Sequence, residues 1–213
     1  MSELRERFAR TLRAATTTEN PGTDPYPYAD NLLTRWAEPH RRYHTRTHLT
    51  AVLDHIDVLE EHAANPETVR LAAWFHDAVY RPDRSENEER SAALAVRALT
   101  EAGLPEPTVT EVARLVRLTV THDPADGDTD GETLCDADLA ILAAAPDAYA
   151  AYTRSVREEY AFVPDEAFRE GRAAILRQLL DLPALFRTPY GKKHWTTPAR
   201  DNLTTELRLL APH

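Results

Sequence analysis

The sequence has one cysteine, little glycine and no long apolar run. The single cysteine, Cys135, cannot form an intrachain disulfide, which is typical of proteins from a reducing compartment. The N-terminal stretch 1–13 is charged and amphipathic and lacks the apolar segment of a secretory signal. No apolar stretch approaches the roughly 20 residues that span a bilayer. These absences predict a soluble, cytoplasmic protein with no membrane partner.

Positive charge is also scarce, since 25 lysines and arginines stand against 35 aspartates and glutamates, a net charge of −10. A general nucleic-acid-binding protein normally presents a basic face, so this function class is disfavoured. An anionic substrate would need a local positive centre, either a metal ion or a few arginines.

Alanine, leucine, arginine and glutamate are frequent, whereas β-branched runs are short. These residues favour helix, and apolar positions recur at helical spacing, as Leu4, Phe8 and Leu12 do. The sequence contains no internal repeat and no convincing linker. We therefore predict an all-α helical bundle that forms one domain over residues 1–213.

Turn and cap residues divide the chain into helices and connections. Ser85 and Glu88 have the spacing of a capping box, which predicts a helix start. Thr108 and Glu111 repeat this signature before the next helix. The segment 182–196 contains two prolines and a glycine and is predicted to be the longest irregular stretch.

Three short stretches carry imidazoles and carboxylates within apolar helical surroundings. They are Tyr43-His44-Thr45-Arg46-Thr47-His48, Ala72-Ala73-Trp74-Phe75-His76-Asp77 and Leu134-Cys135-Asp136-Ala137-Asp138-Leu139. Burying an ionised Asp77 at the end of an apolar run is costly unless a positive charge meets it. A cation bound by both His76 and Asp77 would supply that charge. Imidazole together with carboxylate suits a divalent cation such as Mn, Fe, Co, Ni, Mg or Zn, so we predict one such metal site.

The order His … His-Asp … Asp on successive helices resembles the HD superfamily of metal-dependent phosphohydrolases. The wider frame is similar to small bacterial proteins described as predicted metal-dependent HD-superfamily phosphohydrolases; it comprises Tyr-His-x-x-x-His, Ala-Ala-Trp-Phe-His-Asp-Ala-Val-Tyr, Asn-Glu-Glu-Arg-Ser-Ala, Asp-Ala-Asp-Leu and Ala-Arg-x-Asn-Leu. The resemblance extends from about Trp36 to Leu207. It implies an HD-type bundle with a metal-binding core at about 40–145 and C-terminal helices of 146–213 packed on it. It also implies hydrolysis of a phosphomonoester or nucleotide by a metal-activated water.

By motif position, the resemblance implies four metal ligands: His48, His76, Asp77 and Asp138. His44 lies one helical turn before His48 and is either a competing ligand or a group that contacts the ligands from behind. Asp136 lies two residues before Asp138, and this spacing cannot place both carboxylates on one side of a helix. Asp136 is therefore expected to orient a ligand or to accept a structural hydrogen bond.

The candidates for catalysis are His122, Glu88 and Asp136. Small helical HD nucleotidases often place a glutamate three residues after the doublet, where it helps to position the attacking water. That position is not a glutamate here, so Glu88 from the next helix is the candidate, with a capping carboxylate as the alternative. His122 is the one histidine between the doublet and the last aspartate, and we interpret it as an acid/base or phosphate contact. HD proteins with two metals recruit more histidines in this interval, so a second metal is the less favoured alternative.

The candidate substrate-binding residues are Arg46, Arg81 and Lys192. The planar fork of arginine suits phosphate oxygens, and both arginines flank the ligand stretches. Lys192 lies in the irregular segment, either in a lid or in a merely exposed loop.

Three functions stay open at this point. The first is a phosphohydrolase that acts on a small-molecule phosphate or nucleotide. The second is an HD-fold oxygenase with a diiron centre, and the third is a non-catalytic nucleotide-binding or sensor domain. Self-association into a homo-oligomer is left open as well.

Overall fold

Apolar residues at helical spacing form helices along the part of the chain that the structure describes. This computed structural model describes residues 2–16 and 23–211, and within these ranges it contains helices and no strand. The predicted all-α fold is therefore confirmed. The helices are α1 (Ser2–Ala15), α2 (Tyr26–Arg35), α3 (Arg46–Leu59), α4 (Pro66–Phe75), α5 (Asn87–Glu101), α6 (Glu106–Leu118), α7 (Thr129–Leu139), a 3₁₀ turn (Ala140–Ala143), α8 (Pro146–Glu159), α9 (Asp165–Asp181), α10 (Pro189–His194) and α11 (Thr196–Leu210). Not one of these described helices is both long and apolar enough to cross a bilayer.

Helix α4 lies at the centre of the larger hydrophobic core. Pro66 occupies its first turn, where a missing N–H breaks no helical hydrogen bond. Every residue from Thr68 to Phe75 is buried, as expected for a helix that is apolar on nearly all sides. The helix packs against α1, α3, α5, α6 and α7. As a result, the residues that follow it, His76 and Asp77, enter the interior of the protein.

The helices after α7 enclose a second, smaller core. Its buried residues are Leu142, Tyr149, Leu176, Leu185, Phe186, Ala199 and Leu203. Trp195 packs against both cores, so apolar contacts join the C-terminal helices to the first seven.

Asp136 anchors the segment that leads into α10. Its carboxylate accepts hydrogen bonds from the backbone N–H of Arg187 (2.8 Å) and from the backbone N–H (2.8 Å) and hydroxyl (2.7 Å) of Thr188. The Thr188 hydroxyl in turn accepts from the N–H of Gly191 at 2.9 Å and caps α10. Residues 189–194 are therefore helical, which corrects the prediction that 182–196 is irregular throughout. The sequence predicts that Asp136 either orients a ligand or accepts a structural hydrogen bond. Its carboxylate accepts the hydrogen bonds of this segment, so its role is the structural one.

The two capping boxes predicted from the sequence do not form. Helix α5 begins at Asn87 without a side-chain cap, because the Asn87 side chain instead bonds to the backbone of Arg81 and closes the preceding loop. Ser85 stays in that loop, outside the helix. Helix α6 begins at Glu106 rather than at Thr108, since the prolines on either side of Glu106 favour a first helical turn there.

The close approach of α10 to Asp136 makes a prediction about Gly191. A Cβ atom at this position would lie 2.6 Å from Oδ2 of Asp136 and 2.9 Å from Cβ of Phe186. Gly191→Ala is therefore expected to lower the free energy of unfolding by about 1–3 kcal/mol, the usual cost of overpacking. Urea unfolding followed by circular dichroism measures this change.

Gly171→Ala is the matched control for this measurement. Gly171 lies within α9, and a Cβ atom there would meet no atom within 4 Å. Alanine is expected to stabilise the helix by about 0.5–1 kcal/mol. Equal effects of the two substitutions would contradict the packing described for Gly191.

Candidate metal centre

Three helices bring imidazoles and carboxylates to one place. His48 lies in the first turns of α3, whose start is fixed by Thr45: its hydroxyl accepts from the N–H of Thr47. His76 and Asp77 follow the C-terminal end of α4, and Asp138 lies in the last turn of α7. Because α3, α4 and α7 pack against one another, their ends converge.

The ligand atoms of the predicted set lie close together. Nε2 of His48 is 3.1 Å from Oδ1 of Asp138, and Nε2 of His76 is 3.6 Å from the same oxygen. One donor atom from each of these three residues lies within 4.8 Å of the other two. Asp77 is outside this tight group, but its Oδ2 is 3.1 Å from Nε2 of His76. Three of the four predicted ligands therefore lie around one point, and Asp77 adjoins this group through His76.

Two nitrogen atoms at this centre lack the partners that buried polar atoms normally have. Among the described residues, three buried side-chain atoms make no hydrogen bond, and two of them are Nε2 of His48 and Nε2 of His76. Nδ1–H of His76 donates to the carbonyl of Ala73 at 2.8 Å, which directs Nε2 at the centre. Leaving such atoms unpaired costs about 1–3 kcal/mol each. Two imidazole nitrogens beside carboxylate oxygens fit a divalent cation, which would satisfy both atoms.

The charges of the cluster also favour a cation. Burial disfavours the ionised carboxylates, but His76 and its neighbouring imidazoles outweigh it and hold the pKa of Asp77 and of Asp138 well below the usual range. Burial likewise opposes charge on His76, yet the two carboxylates raise the pKa of its imidazole well above the usual value. Burial lowers the pKa of His48, despite the nearby Asp138. The cluster thus holds two anionic groups whose charge requires a positive partner in the interior.

His44 lies on the far side of the cluster and is held there by Glu159. Nδ1–H of His44 donates to Glu159 at 2.7 Å, and its Nε2 lies 3.9 Å from Oδ2 of Asp77. Burial opposes charge on this imidazole, but Asp77 and Glu159 outweigh it and raise the pKa of His44. Glu159 also accepts the backbone N–H groups of Arg42, Tyr43 and His44 at 2.7–3.0 Å. Although burial favours its protonated form, the bonds from His44 and the backbone lower the pKa of Glu159 to about 2. The carboxylate therefore positions the whole 42–44 loop.

Sequence reasoning did not identify Glu159. It ends α8 within Arg157-Glu158-Glu159-Tyr160, where a charged pair at a helix end is typical of a solvated surface. Only the packing of α8 against the 42–44 loop shows that one of the two glutamates is buried.

Arg41 is a second residue that the sequence did not indicate. Its side chain is fully buried, and Nη1 donates to the carbonyls of Asp77 (2.9 Å) and His44 (3.1 Å). This guanidinium joins the loop before α3 to the turn after α4, and so fixes two of the candidate ligand segments relative to each other.

His122 lies against the ligand Asp138. His122 lies in the turn after α6, and its backbone adopts φ of 50°, in the left-handed region that is uncommon for a residue other than glycine. This conformation directs Nε2 to Oδ2 of Asp138 at 2.8 Å. One oxygen of Asp138 thus faces His122, and the other faces His48 and His76.

The other candidates from the sequence lie elsewhere. Nε and Nη2 of Arg46 donate to the carbonyl of Leu33 at 2.8 and 2.6 Å, so this guanidinium is occupied away from the centre. Arg81 is exposed and pairs with Asp83, and Lys192 is exposed on α10. Glu88 lies half-buried in the first turn of α5.

An open pocket reaches the cluster from the side of His48 and Asp138. Its volume is about 280 Å³. The polar and basic residues that line it are Arg42, Thr45, Thr47, His55 and Ser155. Arg42 is the arginine in this lining, and its Nη1 donates to the carbonyls of Pro39 at 2.6 Å and Arg41 at 3.0 Å.

No protein-family model matches this chain, and comparisons with curated proteins and with solved structures found no match. Any functional assignment therefore depends on the residues and their geometry, and the HD resemblance stays a prediction.

His76→Ala is expected to remove bound metal. Mutation of a residue that hydrogen-bonds to a metal ligand commonly lowers metal affinity about 10–100-fold. Mutation of a direct ligand should therefore lower it more than about 100-fold. Elemental analysis and competition with a chromophoric chelator measure this for Mn, Co, Ni and Zn. His62→Ala is the control, because His62 pairs with Glu132 outside the cluster. Equal metal affinity of the two variants would contradict the proposed centre.

Metal binding is expected to release a proton at pH 7. The raised pKa of His76 means that the metal-free imidazole carries a proton that a cation must displace. Apparent affinity should therefore increase as the pH rises toward the pKa of His76 and become constant above it. Calorimetry in buffers of different ionisation enthalpy counts the protons. Release of none at pH 7 would show that His76 is not a ligand.

Proposed function

We propose that this protein is a metal-dependent phosphohydrolase of the HD type, acting on a phosphomonoester or nucleotide. The observation that carries the proposal is the pair of buried, unpartnered Nε2 atoms of His48 and His76 beside the ionised Asp138. The order of these residues along the chain, with Asp77 next to His76, agrees with the resemblance to that superfamily. The open pocket beside His48 and Asp138 gives a small anion access to the cluster.

The reaction transfers a phosphoryl group to water. The oxygen of water forms a bond to phosphorus, and the ester P–O bond breaks. One proton of the water ends on the departing alcohol, and the other stays on the phosphate. A divalent cation at the centre would lower the pKa of a bound water and offset negative charge on a phosphoryl oxygen.

Two histidines flank the candidate ligands, and we assign them different roles. Nε2 of His44 lies 3.9 Å from Oδ2 of Asp77, and Glu159 holds the ring through Nδ1. His122 bonds to Asp138 at 2.8 Å, so we assign it to holding the orientation of that carboxylate. We assign His44 to giving a proton to the leaving alcohol and regaining one from the attacking water.

Arg42 is the proposed phosphate contact. It is exposed at the pocket, next to the hydroxyls of Thr45 and Thr47. Since the protein carries a net charge of −10, an anionic substrate depends on such a local positive group together with the cation. Arginine also matches the geometry of phosphate oxygens.

A diiron oxygenase of the same fold is the second candidate. Beyond His48 and His76, two further imidazoles lie at the carboxylates: His122 is 2.8 Å from Asp138, and His44 is 3.9 Å from Asp77. Four histidines and two carboxylates provide enough donors for two ions. Two irons per chain together with oxygen consumption would favour this alternative.

Phosphate release distinguishes these functions. The protein loaded with Mn, Co, Ni or Mg is expected to release phosphate from at least one member of a panel of nucleotides, sugar phosphates and aryl phosphates. Asp77→Ala should lower kcat by more than about 100-fold, because it removes a proposed metal ligand together with its negative charge. Asp201→Ala, an exposed carboxylate on α11, is the control and should change kcat less than twofold. Turnover that persists after chelation would contradict the proposal, and tight binding without turnover would favour a sensor.

A further inference from the structure

A second pocket adjoins the candidate metal centre on the side of His44. It lies between α8, α9 and the 43–44 loop and has a volume of about 400 Å³. Its apolar and aromatic lining includes Tyr43, Tyr152, Tyr160, Val156, Phe168 and Ile175. This pocket is larger than the one at His48, has more aromatic rings in its lining and has no carboxylate among its described lining residues.

The one arginine in the lining, Arg172, has most of its donors occupied. Its Nε and Nη2 donate to the two oxygens of Glu206 at 2.7 and 3.1 Å, and Nη2 also donates to the hydroxyl of Tyr152 at 3.1 Å. Among the described residues that line the pocket there is no carboxylate. Ammonium groups therefore find no counter-charge here, and sugar hydroxyls find few partners.

Two side chains in the wall of this pocket lie next to the candidate metal ligands. His44 belongs to its wall, and Nε2 of His44 is 3.9 Å from the candidate ligand Asp77. The ring of Tyr43 is 4.7 Å from the ring of His48 and 4.6 Å from that of Tyr152. Tyr43 and Tyr152 line both pockets, so the two pockets border the same aromatic rings.

We propose that this apolar pocket binds the alcohol portion of the substrate and selects a planar aromatic group. The inference rests on the proposed phosphohydrolase function, which places the phosphoryl group at the cation. A pocket of this volume falls at the lower end of the range for small-molecule sites, which suits one or two fused rings. Aromatic side chains favour a flat, apolar partner by stacking and edge contacts. The substrate class is thus a phosphate monoester of an aromatic alcohol or a nucleoside, rather than of a polyol or an amino alcohol.

Gly171 allows a direct test of this assignment. It lines the pocket on α9, and a Cβ atom at this position meets no atom within 4 Å. Gly171→Phe fills the pocket from an exposed helical position, so the fold should be retained, and Gly171→Leu is a smaller version. Ala174→Phe is the matched control, because it adds the same ring at an exposed position of α9 that does not line the pocket.

The substrates to compare are 1-naphthyl phosphate, adenosine monophosphate and glycerol 1-phosphate, with the manganese-loaded protein. The wild type is expected to show a kcat/KM at least about tenfold higher for an aromatic ester than for glycerol 1-phosphate. Gly171→Phe should lower kcat/KM for that aromatic ester about tenfold or more, mainly through KM. In Gly171→Phe, the turnover of glycerol 1-phosphate and the metal content should change less than twofold. Ala174→Phe should leave kcat/KM unchanged both for the aromatic ester and for glycerol 1-phosphate. If Gly171→Phe lowers kcat/KM for adenosine monophosphate, the occupant of the pocket is a nucleobase. If it lowers kcat/KM for the naphthyl ester alone, the occupant is an aryl group.

Calorimetric binding of 1-naphthyl phosphate and adenosine monophosphate separates this inference from the proposed function. Aromatic esters that bind the wild type and not Gly171→Phe support the pocket even if no ester is hydrolysed. Hydrolysis that is equal in the wild type and both Gly171 variants overturns the pocket assignment and leaves the phosphohydrolase intact. Preference for glycerol 1-phosphate, or the absence of both binding and turnover of aromatic esters, also overturns it.

Discussion

The burial of ionised carboxylates beside unpartnered imidazoles is the constraint on which this structure depends. Helix α4 is enclosed by five other helices, so His76 and Asp77, which follow its end, are largely buried. A histidine and an aspartate placed there must be satisfied internally. Asp138 and His48 complete the arrangement, and Trp36 packs behind it at 5.4 Å from the ring of His76. An apolar layer of this kind keeps water away from one side of a metal centre and strengthens the electrostatic interactions within it.

Buried carboxylates that accept backbone N–H groups join the N- and C-terminal helices. Glu159 from α8 holds the 42–44 loop, and Asp136 from α7 holds residues 187 and 188. Each contact links segments more than 50 residues apart along the chain. Because one contact supports His44 and the other lies two residues from Asp138, the C-terminal helices contribute to the geometry of the centre without supplying a predicted metal ligand.

The surroundings of the centre are chemically asymmetric. On the side of His48, hydroxyls, His55 and Arg42 line an opening together with aliphatic residues. On the side of His44, aromatic and aliphatic residues surround a larger one. Tyr43 is common to both, and it lies in the same loop that Glu159 positions. A phosphate ester has the same asymmetry, with a charged group at one end and an organic group at the other, so the form of the site agrees with the proposed reaction.

The sequence by itself determined the helical fold and the set of candidate ligands. Helical periodicity and the adjacent His76-Asp77 doublet are local features, and the chemistry of imidazole with carboxylate needs no knowledge of packing. Helix starts at Ser85 and Thr108 were wrong because nearby residues offered competing local bonds and turns. Only the tertiary structure decided that Arg46 bonds to the backbone of Leu33, that Glu159 is buried and that Asp136 is structural. These roles depend on contacts between distant segments, and residue type and spacing along the chain do not encode which surface of a helix another helix will cover.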